Sequence, residues 1–334
     1  MTDLFAGGGG TSTGAALASV DVRVAVNHWA PSLATHAANH PTTAHENIDI
    51  SQADPARFQR TDILWASPSC THHTRAQGKR RETRQHGEFD IDRAWDWPTI
   101  MAAEPDKARA TMFDVVRFAE ALHHRYVIVE NVPEVMDWMF YPQWLQMMGM
   151  LGYQHRVQIL DAAKVATSGR AVAQHRVRFF ATFWRDDQQA PDLITETESL
   201  RPADEILDAD PGRLISERTR PLAQASMERI EATLDRYPDA QRMIVSYYGA
   251  SKVGRPSSCP IGTLTTHDRH AVLTRTPRGV AYRMLRNAEA ARGMGFRDTY
   301  QWCGSTKDVT KQIGNAVATN VARDLCAGIV QVAA

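Results

Sequence analysis

Asp3-Leu4-Phe5-Ala6-Gly7-Gly8-Gly9-Gly10-Thr11 carries the end of an apolar strand through four glycines into a helical stretch, Thr11–Ala18. Glycine tolerates positive φ and close backbone approach, so a ligand can lie against such a turn at the start of a helix. The spacing is not the dinucleotide fingerprint, because Ser12 stands where its third glycine belongs. By itself the segment reads equally well as a ligand loop or a flexible turn. Almost nothing precedes Asp3, so either the strand is very short or the native start lies upstream.

The surrounding pattern turns this segment into a fold. Val22–Val26, Asp62–Ala66 and Tyr126–Val129 read as short buried strands. Thr11–Ala18, Pro31–Asn39 and Thr111–His123 read as helices, the last with Met112, Val115, Val116, Ala119 and Leu122 on one face. Strand–helix alternation predicts an α/β fold with a mostly parallel, Rossmann-like sheet covered on both faces. Such sheets bind ligands at the carboxyl ends of their strands.

From about residue 185 the chain becomes acidic and proline-containing, then runs through a predicted helix at Ser216–Tyr237, an apolar Met243–Tyr248 and a Gly/Pro/Ser-rich stretch to Pro260. This predicts a first domain over 1–185, a smaller loop-rich domain over 186–275 and a return to the first domain over 276–334. One amphipathic helix is predicted over Gln312–Val332, with Ile313, Val317, Val321, Leu325 and Ile329 at four-residue spacing.

The 334 residues are 43% hydrophobic and 23% charged, with a formal net charge of zero, which excludes a disordered tail, a coiled coil and a collagen-like repeat. No apolar run reaches the roughly 20 residues that span a bilayer. The first residues show neither a basic leader nor an apolar signal core. Four scattered cysteines without a Cys-x-x-Cys pair predict neither a disulfide framework nor a zinc site, and point to a cytoplasmic setting. The charge is segregated: Arg75, Lys79, Arg80, Arg81 and Arg84 are opposed only by Glu82, whereas nine carboxylates crowd Asp186–Asp210. Taken as charge runs alone, these are a solvated basic loop and an acidic linker.

The strand ends carry chemistry. Asn27-His28-Trp29 follows the second strand, where Trp29 can stack on a flat ring or fill a half-buried core position. Ser67-Pro68-Ser69-Cys70-Thr71-His72-His73 follows the third. Cys70 there is a nucleophile activated by nearby cations, a buried inert thiol, or a metal ligand with the histidines. Glu130-Asn131-Val132 follows the next strand, and desolvation raises such a carboxyl so that it can donate a proton. In Gln174-His175-Arg176-Val177-Arg178, alternation sends Gln174, Arg176 and Arg178 to one face.

This order of motifs resembles the cytosine-carbon-5 DNA methyltransferase family. The match rests on Asp3–Gly7, the Cys70 turn, Glu130-Asn131-Val132, Gln174-x-Arg176-x-Arg178, Arg283-Met284-Leu285 with Glu289–Arg292, and Gln312–Val317. The resemblance implies S-adenosylmethionine as methyl donor and no metal, with Phe5, Gly7, Gly9, Gly10, His28, Trp29, Asp62 and Asn315 forming the donor pocket. It implies a cytosine flipped out of double-stranded DNA, attacked by Cys70 and supported by Glu130, Arg176 and Arg178. Residues 71–106 would be a mobile catalytic loop whose basic run meets phosphates, and 186–275 a target-recognition domain. Lys252, Arg255 and Thr263 would contact DNA there, with Tyr247, Tyr248, Ser257 and Ser258 beside them.

Two departures from the family pattern stand out. Ser69 rather than proline precedes Cys70, and His28 occupies the position of the acidic residue that holds the donor's ribose hydroxyls. A neutral imidazole accepts one such bond where a carboxylate accepts two. The resemblance further implies a cytoplasmic monomer and allows for a restriction endonuclease partner. The alternatives are the same chemistry on RNA and a catalytically silent DNA-binding relative.

Overall fold

The computed structural model describes residues 1–68, 104–248 and 252–333. Its larger sheet has the order β3-β2-β1-β4-β5-β7-β6. β1 (Thr2–Leu4), β2 (Val24–Val26), β3 (Ala44–Glu46), β4 (Ile63–Ala66) and β5 (Tyr126–Asn131) run parallel. β7 (Val177–Arg185) is antiparallel to both β5 and β6 (Tyr153–Asp161). The expected α/β architecture with a mostly parallel sheet is the one observed.

Both faces of the sheet are covered, which is why its strands read as continuous apolar runs. Along β4, Ile63 and Trp65 enter one core while Leu64 and Ala66 enter the other. The first core is closed by α1 (Gly10–Leu17) and α8 (Thr319–Ala333), the second by α3 (Glu104–Leu122) and α4 (Tyr141–Met150). Met112, Val115, Val116, Ala119 and Leu122 of α3 all lie in that second core, as their spacing requires. α2 (Ala30–Asn39) follows β2.

The C-terminal segment departs from the expected single helix. α7 (Thr306–Asn315) and α8 are separated at Ala316, whose backbone is extended (φ −64°, ψ 148°). Two contacts require the bend. The Gly314 carbonyl accepts from Arg176 Nη2 (2.9 Å), and the Val317 carbonyl lies against Gly10, only 2.3 Å from where a Cβ would be.

The second sheet is antiparallel, ordered β10-β9-β11-β12-β8: β8 (Arg213–Leu214), β9 (Arg242–Ser246), β10 (Arg255–Pro256), β11 (His270–Thr276) and β12 (Gly279–Met284). One face packs on α5 (Gln224–Arg236) through Ile230, Met243, Val245, Leu273 and Tyr282. Ile244 and Val272, on the other face, join the first core of the larger sheet. α5 starts later than Ser216 because Pro221 has no N–H to continue a helix ladder, and only a single turn forms at Ile215–Glu217. The β11–β12 hairpin carries the small sheet to Met284, past the expected edge at residue 275. α6 (Asn287–Gly293) then leads back to the larger sheet. Among the described residues no helix is long and apolar enough to cross a membrane.

Candidate active site

The chain runs outward from β1 through β2 to β3 and then returns to β4 on the other side of β1, so the carboxyl ends of β1 and β4 flank a topological switch point. The glycine turn leaves β1 there, and Ser67-Pro68 leaves β4. Backbone bonds tie the ends together, Ala6 N donating to Val26 O (3.1 Å) and Ser67 N to Leu4 O (3.2 Å). Phe5 (φ 60°), Gly7 (φ 54°) and Gly9 (φ 96°) all have left-handed backbone, a strained state for phenylalanine of the kind that gathers at ligand sites.

Only one of the glycines expected in the donor pocket faces open space. A Cβ on Gly7 would meet nothing nearer than the Phe5 carbonyl at 3.9 Å. Gly9 and Gly10 are demanded by packing instead. A Cβ on Gly9 would sit 2.5 Å from the Tyr300 hydroxyl and 3.1 Å from His40 Nε2, and one on Gly10 would strike Val317.

Beneath the turn runs a buried polar chain that the sequence reading missed. Ser12 Oγ donates to Asp3 Oδ2 (2.7 Å) and lies 2.9 Å from His36 Nε2, while His36 Nδ1 lies 2.9 Å from His45 Nε2. Burial pushes the Asp3 carboxyl up to about 7 and His36 down to about 2. A carboxylate inside a strand that runs directly into a glycine turn was the available signal.

His28 and Trp29 follow β2 at the same edge. His28 is exposed; with its amide turned to donate, Asn47 reaches the carbonyls of Asn27 and His28 (3.2 Å each). Trp29 is half-buried, and Lys311 Nζ stands 4.4 Å from its ring centroid. Asn315 is exposed at the end of α7 rather than at the start of a final helix.

Asp62 does not belong to this edge. It precedes β4 at the amino end of the sheet, its side chain is 76% exposed, and it lines a cavity of about 540 Å³ with Met1, Arg60 and Arg125. In a parallel sheet a residue before a strand and a residue after one lie a strand length apart, so this cavity is not at the switch point. The carboxylate that follows a strand at the correct edge is Asp49, beyond β3, whose Oδ1 accepts from Ser51 N (3.1 Å) and Ser51 Oγ (2.8 Å).

The acid and arginine groups converge at the carboxyl end of β5. Glu130 is 8% exposed, and Arg178 Nε lies 3.4 Å from its Oε1. Burial raises the Glu130 carboxyl above its ordinary range, opposed by Arg178 and then Arg176. The predicted common face divides its work. Arg178 addresses the acid, while the buried Arg176 donates to Leu264 O (3.1 Å) and Gly314 O, and Gln174 Oε1 accepts from Leu264 N (2.8 Å). Thr263 Oγ1 donates to the His175 carbonyl (2.9 Å), so its hydroxyl serves this junction.

Asn131 Nδ2 donates to the Pro68 carbonyl (3.3 Å), anchoring the chain as it enters the Cys70 turn. Cys70 itself, with Arg75, Lys79, Arg80, Arg81 and Arg84, lies outside the described residues. Lys252 is exposed, and Arg255 donates to Pro260 O (3.3 Å). Among the described residues no group of three or more His, Cys, Asp or Glu side chains could hold a metal.

A mostly parallel sheet with a strained glycine turn at its switch point and a buried acid beside Arg178 defines a Rossmann-like α/β protein. The chain belongs to the C-5 cytosine-specific DNA methylase family, whose profile matches residues 1–94 and 99–331. The Type II methyltransferase M.HgiDI of Herpetosiphon aurantiacus is 28% identical over 165 residues, 48% of this chain and 46% of that protein, so the match spans about half of the relative. M.HgiGI of the same organism is 31% identical over 94 residues, 27% of this chain and 73% of that protein. A solved E. coli structure, described as a DNA modification methyltransferase encoded within a prophage, shares the fold at TM-score 0.65 and 16% identity, covering 99% of this chain and 98% of that one. Spodoptera frugiperda DNMT2 does so at TM-score 0.64 and 14% identity, covering 98% of each chain.

Proposed function

We propose that the protein is a DNA (cytosine-5) methyltransferase that acts on a cytosine turned out of the duplex, with S-adenosylmethionine as donor. The observation that carries this reading is the buried Glu130 beside Arg178 at the carboxyl end of β5, next to the strand whose continuation holds Cys70. Family membership supplies the reaction class.

Aromatic carbon 5 is a poor nucleophile until a covalent adduct at carbon 6 makes it part of an enamine. The Cys70 thiolate forms a bond to carbon 6 as the π electrons of the 5,6 double bond shift to carbon 5. Glu130, whose carboxyl burial raises above its ordinary range, supports ring nitrogen 3 as charge develops there. Arg178 steadies Glu130 and the base, and Arg176 keeps the recognition segment in register through Leu264 and Gly314. Carbon 5 would take the methyl group as the donor's sulfur–methyl bond breaks to leave a neutral thioether; loss of the carbon 5 proton to water then re-forms the 5,6 double bond and expels the thiolate.

The donor supplies an electrophilic methyl group. The strained Phe5, the open Gly7 and the half-buried Trp29 suit a flat nucleoside laid against a strand-to-helix turn. His28 would take the ribose. Residues 186–275, extended to Met284 by the β11–β12 hairpin, would read the target sequence, with Lys252 and Arg255 meeting DNA.

Expression in cells lacking cytosine methylation, followed by nucleoside mass spectrometry of their DNA, tests the reading. The expected product is 5-methylcytosine. Cys70→Ala should lose it by several orders of magnitude while still binding DNA; product from that variant would remove Cys70 from the mechanism.

A further inference from the structure

A second cavity, of about 460 Å³, lies where the turn before β7 meets the small sheet. Its walls carry His175, Arg236 and Arg255, with Tyr237 and Cys259 between them, and among the described residues no carboxylate lines it. For a chain of zero net charge this is a pronounced local excess of cations.

The two arginines are not consumed by their surroundings. Arg236 is exposed in the last turn of α5, where free carbonyls would be its natural partners. Arg275 takes those instead, donating to Leu234 O (3.0 Å) and Tyr237 O (3.3 Å). Arg255 spends one nitrogen on Pro260 O. Of two carboxylates on adjoining segments, Asp204 lies 4.0 Å from Arg242, and Asp161 accepts from Arg176 N (2.8 Å) and Ala163 N (3.2 Å). Asp161 also lies 2.7 Å from His175 Nδ1 and so fixes the orientation of the ring.

The place matters as much as the charge. β7 enters antiparallel, so the turn before Val177 stands at the same edge as Glu130. His175 is gripped through its backbone, its N–H donating to Ile261 O (2.9 Å) and its carbonyl accepting from Thr263, and the next residue is Arg176. We propose that this cavity binds a backbone phosphate of the DNA beside the target base, and so fixes the turn from which Arg176 and Arg178 project. The inference rests on the DNA reading above and adds Arg236 and His175 to its contacts.

Each phosphate neutralised by a protein cation releases condensed counterions, so its loss is read directly in the salt dependence of binding. The full chain is titrated with a labelled short duplex by fluorescence anisotropy between roughly 50 and 200 mM NaCl. Arg236→Gln should flatten the slope of log K against log salt by about 1, equally on target and scrambled duplexes. Arg236→Lys, which keeps the charge, should keep the slope. A wild-type slope in the Gln variant overturns the phosphate site while leaving the methyltransferase reading intact. A wild-type protein that binds structured RNA but no duplex DNA overturns both.

Discussion

Asp3 shows how much one residue beneath a ligand turn can decide. Its carboxyl is fully buried, one oxygen accepts from Ser12, and the other has no hydrogen-bond partner. Burial lifts it from 3.8 to about 7, so the folded protein holds a proton that the unfolded chain gives up. Stability therefore falls as pH rises between those values, by up to about 1.4 kcal/mol per pH unit, and levels off above pH 7. His36, pushed down to about 2, acts in the opposite sense below about pH 6.5, so the wild-type curve alone is ambiguous. Urea unfolding of Asp3→Asn beside wild type isolates the effect: the variant's relative stability should grow from pH 4.5 to pH 7 and then stay constant. A flat difference would mean that Asp3 does not titrate there. At the same scale, Asp62 and Asp49 show what a single strand position costs a sequence reading. The two are alike in the chain, and only the placement of Asp49 after β3 and of Asp62 before β4, strands that run in the same direction, separates them.

The helix that starts at the glycine turn depends on which glycine is replaced. Gly10 has no room for a Cβ because the Val317 carbonyl, freed by the break between α7 and α8, occupies it; Gly14 is filled likewise by Ala322. Gly10→Ala should separate α1 from α8 and cost about 1–3 kcal/mol, measured by thermal or denaturant unfolding. Gly7→Ala meets open space and carries only the left-handed backbone penalty of about 1–2 kcal/mol. It should instead weaken donor binding by calorimetry. If both variants lose stability alike and bind the donor normally, the division between packing and ligand glycines is wrong. The helix break is illegible in the sequence because Ile313, Val317, Val321 and Leu325 satisfy one continuous helical stripe. Arg176 and Gly10, far away in the chain, impose it.

At the scale of the molecule, the acidic segment is an anchor for arginines rather than a solvated linker. Asp208 and Asp210 pair with Arg286, Asp208 also with Arg292 (2.5 Å), and Glu205 with Arg170 and Arg201. At the centre, fully buried Glu289 accepts from both terminal nitrogens of Arg283 (2.7 and 2.6 Å), from Arg286 N (2.8 Å) and from Asp208 N (2.7 Å). This knot ties β12 and α6 to the linker between the two sheets. Exposed pairs are worth 0–1 kcal/mol, whereas breaking a buried one costs about 3–5. Glu289→Gln should therefore lower unfolding stability by that larger amount, and Arg170→Ala by less than about 1 kcal/mol. Comparable losses from the two would show that the buried carboxylate is not the anchor.

The sequence by itself determined the parallel architecture, the order of the strand-end groups and the family, because periodicity and local motifs are properties of neighbours in the chain. Glu130, Arg178 and Trp29 could be placed from it, each being the residue just beyond a recognisable strand. Tertiary structure alone decided that Gly9 and Gly10 are required by packing, that Arg176 clamps Leu264 and Gly314, and that Asp62 lies at the amino edge of the sheet. It alone gathered His175, Arg236 and Arg255 around one cavity. Those facts depend on contacts between residues tens to hundreds of positions apart, where no local pattern records which backbone atom will occupy the space beside a side chain.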